Sequence, residues 1–235
     1  MSLPLFAATK ARNISLMRRL LKKNGANVNE ADSNGGTPLI IAVCCDFLDV
    51  VEFLVKKADA NVSLGDNEGR TPLYWAAFRN NPAIVKWLID KGGASLDQVK
   101  NNGTTPLSTS SQEGHQEVVK LLLDSGAKVD QAFGTGTTPL IMSSAFGHKE
   151  VVKLLLDKGA KFDQADNDGI TPLSASPRER SRRGGEAASG PYREGGADQE
   201  GRGREGRGGN AEEESDEGVR EVREGGREDE EVQRL

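Results

Sequence analysis

The triplet Thr-Pro-Leu occurs five times in the chain, at residues 37–39, 71–73, 105–107, 138–140 and 171–173. With Pro4 ahead of them, the corresponding prolines stand at 4, 38, 72, 106, 139 and 172, spaced by 34 residues three times and 33 twice. A fixed period of this size is the mark of stacked supersecondary units. Each unit is too small to bury its own apolar face, so several must stack together.

One unit can be read from residues 137–163. Thr138 suits the N-cap of a helix, and Pro139 suits its first position, where the missing N–H has no partner to lose. A short helix is expected to about Phe146. Gly147-His148 makes a tight turn, glycine reaching positive φ without a Cβ clash. A second helix follows from about Glu150 to Leu156, carrying Val151, Val152, Leu154, Leu155 and Leu156 toward its neighbours. Gly159 ends it as a left-handed cap. The stretch to Thr171 then projects as an extended loop, turned at Asp166-Asn167-Asp168-Gly169. Neither helix reaches the ~12 residues at which a helix becomes stable alone in water. The extra residue of the longer units falls just after the second helix, within residues 22–26, 56–60 and 90–94.

The period, the Thr-Pro-Leu triplets, Gly114-His115 and Gly147-His148, and the Val-Val-Lys-Leu-Leu-Leu runs at 118–123 and 151–156 resemble the ankyrin repeat. The resemblance covers residues 1 to about 173 and implies an all-α, helix-turn-helix solenoid: a curved stack of helix pairs with hairpin-like fingers on one side. It also implies a protein-binding scaffold without catalysis. The chain departs from the family pattern in several places. Where the family often has His after Thr-Pro-Leu, this chain has Ile40, Tyr74, Ser108, Ile141 and Ser174. Asp46-Phe47 and Asn80-Asn81-Pro82 replace two of the Gly-His turns. Ser108-Thr109-Ser110-Ser111 stands where small apolar residues are usual, which should weaken packing there.

The expected organisation is a repeat domain over 1–173, with repeats at about 1–33, 34–67, 68–101, 102–134 and 135–167 and a truncated sixth at 168–176. A disordered Arg/Gly/Glu-rich tail is expected over 177–235. Pro177 interrupts the sixth repeat where its first helix should be in mid-course, at ~3 kcal/mol for a helix interior. The tail is nearly devoid of large apolar groups and cannot offset chain entropy by burial. Its Arg, Gly and Glu are all encodable by purine-only codons, so an alternative is a reading frame that leaves the array near Ser176. A further alternative is a fragment of a larger protein whose activity lies in another domain.

Charge divides the chain at Ser174. Up to that residue there are 19 basic and 19 acidic side chains; beyond it there are 12 Arg, no Lys and 17 acidic residues, which carry the whole net charge of −5. A neutral array offers no electrostatic reason to bind nucleic acid or an anionic membrane. The Arg/Gly stretch at 201–209 resembles RNA-binding segments, but its interleaved Glu and lack of aromatics oppose phosphate binding. The N-terminal segment has no acidic residue before Glu30 and carries Lys10, Arg12, Arg18, Arg19, Lys22 and Lys23. That looks like a transit peptide, yet its register makes it the first repeat. No apolar run approaches the ~20 residues of a membrane span.

Cys44 and Cys45 are the only cysteines and His115 and His148 the only histidines. Neither pair has ligand spacing for zinc, and no phosphate loop occurs. The expectation is therefore no catalytic residue, no cofactor and no metal, in a cytoplasmic protein with the nucleus as alternative and secretion excluded. The partner is another protein rather than a small molecule or nucleic acid. The chain is a monomer that can self-associate through its uncapped C-terminal repeat. By analogy with the family, the contact residues are the fingertips Ser33, Asn34, Asn67, Glu68, Arg70, Asn101 and Asn102. The exposed first-helix ends Cys44, Cys45, Phe78, Arg79, Gln112, Glu113, Ala145 and Phe146 join them. Trp75 and Trp87 are expected to pack between repeats.

Overall fold

The computed structural model describes residues 4–23 and 25–176. The expected disordered tail, 177–235, lies outside them. Among the described residues there are eleven helices and no strand. They pair as first and second helices: α1 (Pro4–Lys10) with α2 (Ile14–Lys23), α3 (Pro38–Cys44) with α4 (Leu48–Ala58), and α5 (Pro72–Phe78) with α6 (Pro82–Asp90). Next come α7 (Pro106–Glu113) with α8 (Gln116–Asp124) and α9 (Pro139–Phe146) with α10 (Lys149–Asp157), then the single turn α11 (Pro172–Ala175).

Each first helix from α3 onward starts in the same way. The threonine before the proline is extended, and its hydroxyl accepts the backbone N–H three residues on, at Ile40, Tyr74, Ser108, Ile141 and Ser174. The threonine thus caps its own helix without a histidine beside it, worth about 1 kcal/mol per helix. The residue closing the first-helix turn has positive φ in every repeat: Arg12, Asp46, Asn80, Gly114 and Gly147. Asp46 and Asn80 take there the conformation that glycine adopts without strain, which is how two repeats dispense with the Gly-His pair.

One apolar core runs through the stack, with Met17, Leu39, Leu54, Leu73, Ile84, Leu88, Leu107, Leu122 and Leu155 among its buried members. Leu5, Phe6, Ala8, Met17 and Leu20 are buried too, so residues 4–22 pack into the stack as its first helix pair. First helices pack on first helices, α1 on α3, α3 on α5, α5 on α7 and α7 on α9; second helices line up beside them in the same order. Trp87 is buried in the core, as expected, with Lys56 Nζ 5.2 Å from its ring centroid.

The four-residue Ser/Thr run of α7 is wholly buried. Ser108 Oγ lies 2.9 Å from Thr105 Oγ1, and the Ser110 hydroxyl donates to the Leu107 carbonyl at 3.1 Å. Ser111 Oγ is buried with no hydrogen-bond partner. At the other end, Ser176 turns extended, φ −61° and ψ 145°, and α11 stops after one turn. The residue before a proline is driven out of the helical region, which accounts for the break.

Candidate functional site

The fingers between helix pairs are built from a repeated turn. Asp32, Asp66 and Asp166 each accept two backbone N–H groups on Oδ1, from residues two and four further on. In the other two fingers Lys100 and Phe133 stand in this place. There Asn102 Oδ1 takes over for the first, accepting from the Thr104 amide at 3.0 Å and its hydroxyl at 2.6 Å.

Neighbouring fingers are laced to each other. The amides of Asn67, Asn101, Gly134 and Asn167 donate to the carbonyls of Asn34, Glu68, Asn102 and Thr135 at 2.8–3.3 Å. The side-chain amides of Asn67 and Asn101 add bonds to Ser33 O and Asn67 O, both at 3.0 Å. The pairing fixes one fingertip against the next. The tips Ser33, Asn34, Asn67, Glu68, Asn101 and Asn102 are all exposed. Asn67 and Asn101 therefore have a structural task that sequence reasoning did not give them.

Arg70 is tied down within its own finger. Its Nε lies 2.7 Å from Asp66 Oδ2 and its Nη1 3.2 Å from Glu68 Oε2, while its guanidinium covers the Trp75 ring at 4.5 Å. The Trp75 indole N–H donates to the same Asp66 oxygen at 3.1 Å. Phe78 meets the edge of Trp75 at 5.9 Å between centroids. Lys100, absent from the sequence-derived set, is buried with Nζ 5.4 Å from the Tyr74 centroid. A lysine is seldom buried, and nothing in the sequence marks this one.

The first-helix ends differ among themselves. Cys44, Cys45, Phe78, Arg79, Gln112 and Glu113 are half-buried and Phe146 is exposed, stacked on His148 at 6.4 Å. Ala145 is buried in a small apolar cluster with Ile141, Met142 and Ala175, so its side chain is turned away from the surface. Burial pushes the Cys44 thiol up to about 12 and raises Cys45, with the Arg79 guanidinium opposing both shifts. Both cysteines are free thiols.

On the turns, each repeat grips the one before it. The His115 and His148 Nε2–H groups donate to the Phe78 and Gln112 carbonyls, at 3.0 and 2.8 Å. Asn81, one period before His115, donates to Asp46 Oδ1 at 3.1 Å and caps α6 through Ile84 N. Arg79 Nη2 reaches Asp46 as well, at 3.6 Å. Asp49 pairs with Arg12 at 3.0 Å, and the Arg12 guanidinium lies over Phe47.

Among the described residues no group of three or more His, Cys, Asp or Glu is gathered as a metal site would require, and no helix is long and apolar enough to cross a membrane. A family model for ankyrin repeats in three copies matches residues 2–64 and again 58–133, and the single ankyrin repeat model matches 135–167. No curated protein matches the chain.

Proposed function

The chain belongs to the ankyrin repeat family, a family of protein-interaction modules, and from that membership we propose that it is a non-catalytic scaffold holding a protein partner against its fingertips and first-helix ends. The observation that carries the reading is the finger lacing. Four backbone hydrogen bonds between successive fingers hold exposed tips at a fixed spacing before any partner arrives. A surface fixed in advance loses little conformational entropy on binding, which is where an interaction scaffold gains affinity. Beside the tips, Phe146 and the half-exposed Trp75, Phe78 and Arg79 are of the residue types that dominate binding energy at interfaces. A contact of about 800 Å² per partner is the standard for such a complex.

The domain responsible is residues 1–173, and the paired free thiols of Cys44 and Cys45 suit a reducing cytoplasm. Leu156, Phe162 and Leu173 lie exposed at the C-terminal end of the described array, and self-association proceeds through that end.

The test is site-specific photo-crosslinking in cells. A crosslinking residue is placed at Asn34, Glu68, Asn102 or Thr135 on the tips, or at Lys86, Lys120 or Lys153 on second helices, all of them exposed. The scaffold reading expects one discrete adduct from the tip positions alone. Equal adducts from the second helices, or none from the tips, would overturn it.

A further inference from the structure

The finger face does not use the charge concentrated in the first repeat. Lys10, Arg12, Arg18, Arg19 and Lys22 are exposed there, and only Arg12 meets a carboxylate. Arg18 lies over the Phe53 ring at 5.8 Å, which still leaves its charge at the surface. Every other second helix mixes signs: Asp49 and Glu52 in α4, Asp90 in α6, Glu117 and Asp124 in α8, Glu150 and Asp157 in α10. Helix α2 has none, and Arg18 and Arg19 are four and three positions from Lys22, where like charges repel. Beyond the Arg18–Phe53 contact, the fold gives the α2 charges no opposite-sign partner among the described residues. A local rule broken with so little structural return points to function.

We propose that the basic outer face of α2 is a second interaction surface that takes an acidic peptide segment of a partner protein.

The surroundings select among polyanions. From Glu30 to Ser174 the array carries 13 basic and 19 acidic side chains, so a duplex running past the first repeat meets net negative charge. A short acidic peptide ends before it gets there. A single-stranded nucleic acid needs open aromatic faces on which bases stack. In this region Phe6 and Phe53 are buried and Phe47 lies beneath Arg12. An anionic membrane is gripped by amphipathic helices that insert an apolar side. The apolar side of α2, Met17 and Leu20, is already buried in the core.

The test uses the full chain and fluorescence anisotropy with three probes: a labelled oligoglutamate peptide, a short DNA duplex and phosphatidylserine vesicles. The peptide is expected to bind the natural chain and to weaken steeply between about 50 and about 200 mM salt, as screened surface charges must. The triple reversal R18E/R19E/K22E lowers peptide affinity by about tenfold or more, while K120E/K153E, on second helices further along, leaves it within about twofold. Circular dichroism checks folding, and should the reversal unfold the chain, R19Q/K22Q decides with a smaller loss in the same direction. Three results overturn the proposal: no peptide binding by the natural chain, an equal loss in the control, or tighter binding of DNA or vesicles than of peptide.

Discussion

His148 Nε2 stands 2.8 Å from the main-chain oxygen of Gln112, in the preceding repeat, and a Cβ placed on Gly114 would lie 2.5 Å from the same ring's Nδ1. The histidine is therefore a strut between two turns, and Gly114 is glycine twice over: its φ is +75°, and the strut leaves no room for a side chain. Because a carbonyl only accepts, Nε2 carries the proton.

Gly114→Ala is expected to cost more than Gly126→Ala, by about 1 kcal/mol or more in urea unfolding, since Gly126 also has positive φ but open space around it. His148→Ala alone should cost about 1 kcal/mol for one inter-repeat hydrogen bond. The double variant settles the cause. With the ring gone, Gly114→Ala should cost no more than Gly126→Ala; additive losses would mean that backbone strain alone is at work.

Asp66 accepts from the Glu68 and Arg70 amides, from Arg70 Nε and from the Trp75 indole. Asp66→Ala leaves buried donors unpaired and frees Arg70 from above the tryptophan. A loss of roughly 2–4 kcal/mol is expected. Trp75 emission should shift in the folded state, while Asp32→Ala, in a finger with no tryptophan or arginine engaged, leaves emission unchanged and costs less.

Much of this fold stands in the sequence because its determinants are local. Thr138 and Pro139 start a helix whatever the rest of the chain does, and a glycine turn repeated at a fixed interval states the stacking period. What a period cannot state is which atoms meet across it. His115 and His148 read as turn residues; their bonds to Phe78 and Gln112 exist only once two repeats are stacked. Arg70 reads as a free fingertip, but the finger turn brings it back onto Asp66 four residues earlier. Ala145 reads as a helix-end contact until the single turn of α11 covers it.

Ser111 invites a gain of stability. Its hydroxyl is buried without a partner in α7, and alanine removes that desolvated group while favouring the helix. Ser111→Ala should stabilise the chain by about 1 kcal/mol, visible as a higher urea midpoint at unchanged slope. Ser110→Ala, which gives up a bond to the Leu107 carbonyl, should not.

Alkali should weaken the array through the cysteines. Burial holds the Cys44 thiol up to about 12 against an ordinary 9.0, so the folded state keeps a proton that the unfolded chain releases. A group raised in this way contributes fully below its unfolded value and is lost as pH rises toward the folded one. Stability should therefore fall between about pH 9 and pH 12, and Cys44→Ala should flatten that fall. At pH 8 Cys44 should be alkylated more slowly in the folded chain than in the unfolded one; equal rates would refute the raised thiol.

The end of the described array offers the sharpest contrast, because the same residue type occupies the same place in two repeats. Leu123 on α8 is 7% exposed and Leu156, its counterpart on α10, is 43% exposed. Leu140 at the start of α9 is 1% exposed, and Leu173 at the start of α11 is 75% exposed. In each pair the inner leucine is covered by the following repeat. Removing a covered leucine costs the transfer of its methyl groups and leaves a cavity, so Leu123→Ala should lose roughly 2–4 kcal/mol. Leu156→Ala should lose well under half of that. Stability in a stack is a sum of nearest-neighbour interfaces, so α10, which among the described residues has a second helix on one side only, opens before the second helices flanked on both. Amide exchange should accordingly be faster in α10 than in α6, and sedimentation should show less self-association in L156S/F162S/L173S than in the natural chain. Uniform protection from α4 to α10, or equal losses for Leu123→Ala and Leu156→Ala, would mean that the end face is covered.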